Sequence, residues 1–126
     1  MDDYCVVLSN DADLETLWAE SFTRPVVILK HSVWCDLSQK AIEVARRELN
    51  TWATQIGCRI VIVQQNRELS DAIAHRLDID HETPQLIVVR NGRATWDASH
   101  RAITAAAVQR ALDLAGAADS PSDTKT

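Results

Sequence analysis

The chain has 126 residues, 46% hydrophobic and 25% charged, with 13 Lys and Arg against 18 Asp and Glu for a net charge of −5. Such a length and composition describe one globular domain that buries roughly two-thirds of its unfolded surface and needs no staples. The acidic balance argues against nucleic acid or an anionic membrane as the main partner. No apolar stretch reaches the ~20 residues of a membrane span and no signal-peptide pattern opens the chain, so the expected location is the cytoplasm.

Tyr4–Leu8 reads as a short edge strand, and Asp11–Trp18, with acidic residues first and apolar ones at three- and four-residue steps, as a short helix. Pro25–Leu29 is a continuous β-branched run, the pattern of a strand buried on both faces. From Leu37 to about Ile56 a helical stripe carries Ala41, Ala45, Leu49, Trp52 and Ile56, with Gly57 as the expected C-terminal cap. Arg59–Val63 is a second buried strand, and Leu69, Ala72, Ile73 and Leu77 mark a third helix. Thr83–Arg90 follows as a strand opened by a proline, and Asn91-Gly92 signals a two-residue hairpin into Arg93–Asp97. An alanine-rich helix over about Thr104–Ala115 closes the domain, expected to span residues 1–116, with 117–126 as a disordered tail. This order predicts an α/β fold with a central mixed β-sheet flanked by helices on both faces.

Three cysteines with no C-x-x-C pair and no zinc spacing read as free thiols in a reducing compartment. Cys5 and Cys58 are expected to be inert and at least partly buried; either could serve as a distant resolving thiol only if the fold brought it near Cys35, which the predicted topology does not favour. Cys35 differs, because it sits between an apolar strand and a helical pattern. At a helix N-terminus the unpaired N–H groups and the helix dipole favour a thiolate, the form that attacks disulfides. Trp34 beside it suits either a substrate groove or the core. Asp78, Asp80 and Glu82 lack the His or Cys neighbours of a metal site and read as a solvated loop. His100 reads as a loop residue before the last helix.

In combination, Lys30-His31-Ser32-x-x-Cys35-x-x-Ser38, Glu82-Thr83-Pro84-Gln85, Asn91-Gly92 and Trp96-x-Ala98-Ser99-His100 resemble the monothiol bacilliredoxins, the YtxJ-like proteins of the bacillithiol system, within the thioredoxin superfamily. The resemblance runs from about Leu14 to Leu114. It implies a thioredoxin-like fold, with Cys35 as nucleophile and Pro84 as a cis-proline facing it. Thr83 would be the residue whose backbone pairs with a bound disulfide substrate. His31 and Trp34 beside Cys35 are read as substrate-binding residues, with His31 equally suited to tuning the thiol or to capping the strand end. It also implies removal of a low-molecular-weight thiol, bacillithiol, from S-thiolated proteins, with no cofactor beyond that co-substrate and no metal. Ser38 stands where dithiol relatives keep a resolving cysteine, and its hydroxyl, one helical turn on, is expected to donate to the Cys35 thiolate. Asp36 departs from the proline common after the family's cysteine; its carboxylate works against thiolate formation, whereas Lys30 and His31 favour it if they face the site. The contrasting reading is a non-catalytic binding module with a degenerate redox site. An iron–sulfur carrier is disfavoured, because Asp36-Leu37 replaces the Gly-Phe pair of monothiol glutaredoxins.

Overall fold

The computed structural model describes residues 5–118. Five strands form one mixed sheet in the order β1-β3-β2-β4-β5: β1 (Val6–Val7), β2 (Val26–His31), β3 (Gly57–Ile62), β4 (Gln85–Arg90) and β5 (Arg93–Ser99). β1, β3 and β2 run parallel, whereas β4 is antiparallel to both β2 and β5. The helices are α1 (Asp11–Glu20), α2 (Asp36–Leu49), α3 (Arg67–Leu77) and α4 (Ala105–Ala118). Parallel strands need long crossovers, which α1 and α2 supply, while Asn91 and Gly92, both at positive φ (56° and 74°), make the tight turn between β4 and β5. No helix among the described residues is long and apolar enough to cross a membrane.

Strand alternation sorts the core into two layers. Val27 and Leu29 of β2 join Ile60, Leu86 and Val88 under Ala45, Leu49, Val108 and Leu112 of α2 and α4. Val26 and Ile28 face the other way and meet Val61, Ile87, Leu17, Trp18, Leu69 and Ile73, the last four from α1 and α3. Each fully buried side chain of this kind contributes about 1.5–3 kcal/mol, so the two layers make the sheet a rigid platform for whatever projects from its ends.

Three local expectations change. The long helix stops at Leu49 and gives way to a 3-10 turn at Asn50–Trp52, because Asn50 and Thr51 are weak helix formers. Gly57 is not its cap but the first residue of β3, where a Cβ would stand 2.6 Å from Glu20 Oε2; that carboxylate binds Arg24 at 2.6 Å and also Arg59, tying α1 to β3. α4 continues through Ala118, two residues into the expected tail, and the rest of that tail, 119–126, lies outside the described residues.

The largest correction concerns the cysteines. Cys5 and Cys58 are not free thiols but a disulfide, with Cα atoms 4.6 Å apart. β1 pairs with β3 rather than with its chain neighbour β2, and that register brings Cys5 over the start of β3. Both residues are buried in the α2–α4 layer. Val27 is level with Cys58 and His31 with Ile62, so the bridge lies at the opposite end of the sheet from the loop that holds Cys35. The expectation that neither residue serves Cys35 stands on that geometry.

Candidate active site

β2 ends at His31, and Ser32–Trp34 turn the chain into α2, with Cys35 at the N-cap position (φ −116°, ψ 119°). Cys35 is the free cysteine and is half-buried. The turn is braced from several sides. Cys35 N–H donates to Ser32 O at 3.3 Å, and Gln39 N–H to Cys35 O at 3.1 Å. Gln64, in the loop after β3, accepts from Val33 N–H at 3.1 Å and donates to Ser32 Oγ at 2.7 Å. Gln64 carries no sequence signal, since it lies in a loop and 31 residues from Val33. Trp34 is 84% exposed and stands with the exposed Val33 as an apolar rim next to the thiol; the core alternative for Trp34 is excluded.

The last two residues of β2 point to opposite faces. His31 continues the Val27–Leu29 side and reaches α2, where its Nδ1 lies 2.8 Å from Ser38 Oγ. Ser38 is wholly buried and also accepts the Ser32 N–H at 3.0 Å. Burial, reinforced by Arg46, lowers the His31 pKa below the usual 6.5, so the ring is neutral at pH 7 and Nδ1 can accept the serine proton. The expected Ser38 bond to Cys35 is therefore corrected: the hydroxyl is taken up by His31 and Ser32 N–H and holds the turn instead of the sulfur. Ser38→Ala is expected to cost about 1–3 kcal/mol in stability, because it strands the Ser32 amide and His31 Nδ1, as read by denaturant melts.

Lys30 continues the Val26–Ile28 side and so faces α3, away from Cys35, and the condition under which it would favour the thiolate is not met. It is 0% exposed. Its Nζ lies 3.2 Å from His81 Nδ1, which is also 3.2 Å from Ser70 Oγ of α3. Burial pulls the Lys30 pKa from 10.5 down to about 8, with Asp71 opposing and Arg67 adding to the shift.

The Thr83–Pro84 peptide is cis and leads into β4. Lys30 pairs with Gln85 across β2 and β4, so Pro84 sits beside His31 at the end of the sheet from which Cys35 projects. The strap before it is held along its length. Gln85 Nε2 donates to Asp80 O at 3.0 Å, His81 is held as described, Glu82 meets His100 Nε2 at 3.2 Å, and His100 N–H donates to Pro84 O at 3.0 Å. His100, at φ 55°, thus fastens the strap rather than merely preceding the last helix. Thr83 is half-buried, and no hydrogen bond engages its backbone among the described residues. A shallow groove of about 190 Å³ adjoins the start of α2, lined by Leu37, Lys40, Ala41, Val44, His100, Arg101 and Ile103.

A free thiol at a helix N-cap, a cis-proline strap at the same end of the sheet and a mixed sheet in this strand order define a thiol-redox protein of the thioredoxin class. Among solved structures, the chain is similar to a candidate oxidoreductase with a thioredoxin fold at 30% identity, covering 87% of this chain and 95% of that one with a TM-score of 0.77. Thioredoxins of Malassezia sympodialis (18% identity, 89% and 90% covered, TM-score 0.72) and Fasciola hepatica (19%, 86% and 97%, 0.67) share the fold. The chain belongs to the monothiol bacilliredoxin family: the family model for monothiol bacilliredoxin BrxC matches residues 6–108.

Proposed function

We propose that the protein removes a low-molecular-weight thiol from protein mixed disulfides through a monothiol cycle at Cys35. One observation carries this reading. Of the three cysteines only Cys35 is free, and the other two are bonded to each other at the far end of the sheet. A disulfide formed on Cys35 therefore has no internal thiol to resolve it, and an external one must.

In the first step the Cys35 thiolate attacks the small-thiol sulfur of a protein–S–S–R disulfide. The Cys35–S–S–R bond forms, the old S–S bond breaks, and the protein thiolate leaves and takes a proton from solvent. In the second step another R–S⁻ attacks the R sulfur on Cys35, giving R–S–S–R and regenerating the Cys35 thiolate. The Thr83 backbone, free of hydrogen bonds among the described residues, offers an N–H and a C=O for strand-like pairing with the substrate chain, and the exposed Val33–Trp34 rim next to Cys35 offers it apolar surface. His31 and Ser38 keep the turn in shape; Ser38 acts through the turn, not on the sulfur.

Lys40 and Arg101 border the groove next to α2 and would attract a carboxylate-bearing thiol, of which bacillithiol is the one the family implies. Arg101→Glu is expected to raise KM for such a thiol severalfold and to flatten its salt dependence, with less effect on an uncharged thiol such as 2-mercaptoethanol; steady-state release assays at two ionic strengths check this. We place this cycle in the cytoplasm, where attack on the buried Cys5–Cys58 bridge is hindered by its lack of access. The test of the reading is mass spectrometry of the protein after mixing with an S-bacillithiolated protein. Adduct mass on the Cys35 peptide supports it; no adduct there overturns it.

A further inference from the structure

We infer that Lys30 is a positioning residue for disulfide exchange: from the face of the sheet opposite Cys35 it holds His81, and with it the Asp80–Pro84 strap, so that the Thr83 backbone stays presented to substrate. The inference rests on the exchange reading above and adds a device that reading does not require.

The starting point is a residue in the wrong place for packing. β2 reads Val26-Val27-Ile28-Leu29 and then puts a lysine at the next inward position, wholly enclosed. An aliphatic side chain would extend the apolar face of Val26 and Ile28 without the penalty of an enclosed ammonium. Among the described residues the ammonium meets no buried carboxylate; Asp71, which acts on it, is exposed. The ammonium's partner is His81 Nδ1 at 3.2 Å, on the strap that ends in cis-Pro84. Gln85, level with Lys30 in the register and on the same face, ties the other side of the strap through Asp80 O and leaves its own Oε1 buried without a partner. A purely structural core would not concentrate so many polar groups at one spot. A strap that must keep one residue's backbone open needs its neighbours fastened, and Lys30, Ser70 and Gln85 fasten it from beneath while His100 fastens it from the side.

The bond depends on protonation in a defined direction. The groups facing the pair are Arg67 and Asp71 of α3 and Glu82 of the strap, with Ser70 and Gln85 as neutral partners. Burial, then Lys30 and Arg67, lower the His81 pKa from 6.5, against Asp71 and Glu82. At neutral pH a neutral ring accepts from the ammonium. As pH falls through the lowered His81 value, Nδ1 gains a proton, it and the ammonium both become donors, and the Lys30 bond is lost, leaving Ser70 Oγ alone to accept from Nδ1–H.

The experiment compares wild type, Lys30→Met and His81→Asn in release of bacillithiol from an S-bacillithiolated protein between about pH 5 and 9. Lys30→Met is expected to lower kcat/KM at pH 7 about tenfold, mainly through KM, with a melting temperature equal to or above that of wild type. His81→Asn keeps an acceptor near the Nδ1 position that does not titrate, so its rate at pH 7 stays close to wild type and its acid limb is shallower than that of wild type, what remains being protonation of the attacking thiolate. Unchanged kcat/KM in Lys30→Met, a loss matched by a lower melting temperature, or a wild-type acid limb in His81→Asn each overturn the inference. Amide exchange of residues 80–82 reads the strap without turnover: about tenfold faster exchange in Lys30→Met supports the positioning role and unchanged exchange overturns it. Wild type that fails to turn over while its amides respond this way removes the exchange reading and leaves the strap's anchor standing.

Discussion

Cys35→Ser is expected to reduce small-thiol release from protein mixed disulfides by about a thousandfold or more, to the uncatalysed background. A serine hydroxyl stays protonated at neutral pH and is a poor nucleophile toward sulfur, and no other thiol can substitute. Cys5 and Cys58 are consumed in their bridge, and the β2–β3 register holds them four residues along the sheet from the level of His31. The non-catalytic alternative makes the opposite prediction, since a binding module loses nothing when Cys35 becomes serine. Alkylation of Cys35 at the rate of free cysteine, together with unchanged release by Cys35→Ser, would establish that alternative. The comparison must include Cys5→Ala/Cys58→Ala, which is expected to keep release within about twofold of wild type at temperatures where it is folded, because neither residue touches the site.

Stability is where the same double variant is expected to show a large effect. The bridge joins residues 53 apart, and closing a loop of that length in the unfolded chain corresponds to about 4 kcal/mol in the chain-entropy model. For a domain of this size that is a fall in melting temperature on the order of 15 °C. Beyond the entropy, the bridge fastens β1, a two-residue edge strand with both side chains exposed, which has little burial of its own to hold it. Fraying of β1 would open Leu8 and the α1 layer behind it. Calorimetry of wild type with and without a reductant able to open the bridge, beside Cys5→Ala/Cys58→Ala, measures this directly. Equal melting temperatures in all three would show that the bridge contributes nothing.

The sheet and its helices were legible because their signals are local and periodic. Pro25–Leu29 and Arg59–Val63 are unbroken apolar runs, and Asn91-Gly92 demands the positive φ values that it adopts. The same unbroken run concealed which way its last residues face: with Val26 to Leu29 all buried, no polar alternation reveals that Lys30 and His31 part company. A lysine directly after the apolar run Val26–Leu29 is the one signal that something polar waits in the core. The Cys5–Cys58 pairing was not legible, because it depends on β1 pairing with β3 past its chain neighbour β2, a long-range choice made by a strand of two residues. Ser38 was read at the right place and with the wrong partner, since helical spacing puts it near Cys35 but cannot show His31 reaching in from the strand. Gln64 and His81 lie in loops, where partners come from folding and not from periodicity.

The measurement that bears most directly on the account is peptide-resolved mass spectrometry of a single turnover, with wild type mixed with one equivalent of an S-bacillithiolated protein and quenched by acid. The account predicts that the bacillithiol mass moves from the substrate to the Cys35 peptide, that the substrate thiol is freed, and that the Cys5–Cys58 peptide pair remains unchanged. Transfer of the mass to Cys5 or Cys58, or release of the small thiol with Cys35 never modified, would contradict it.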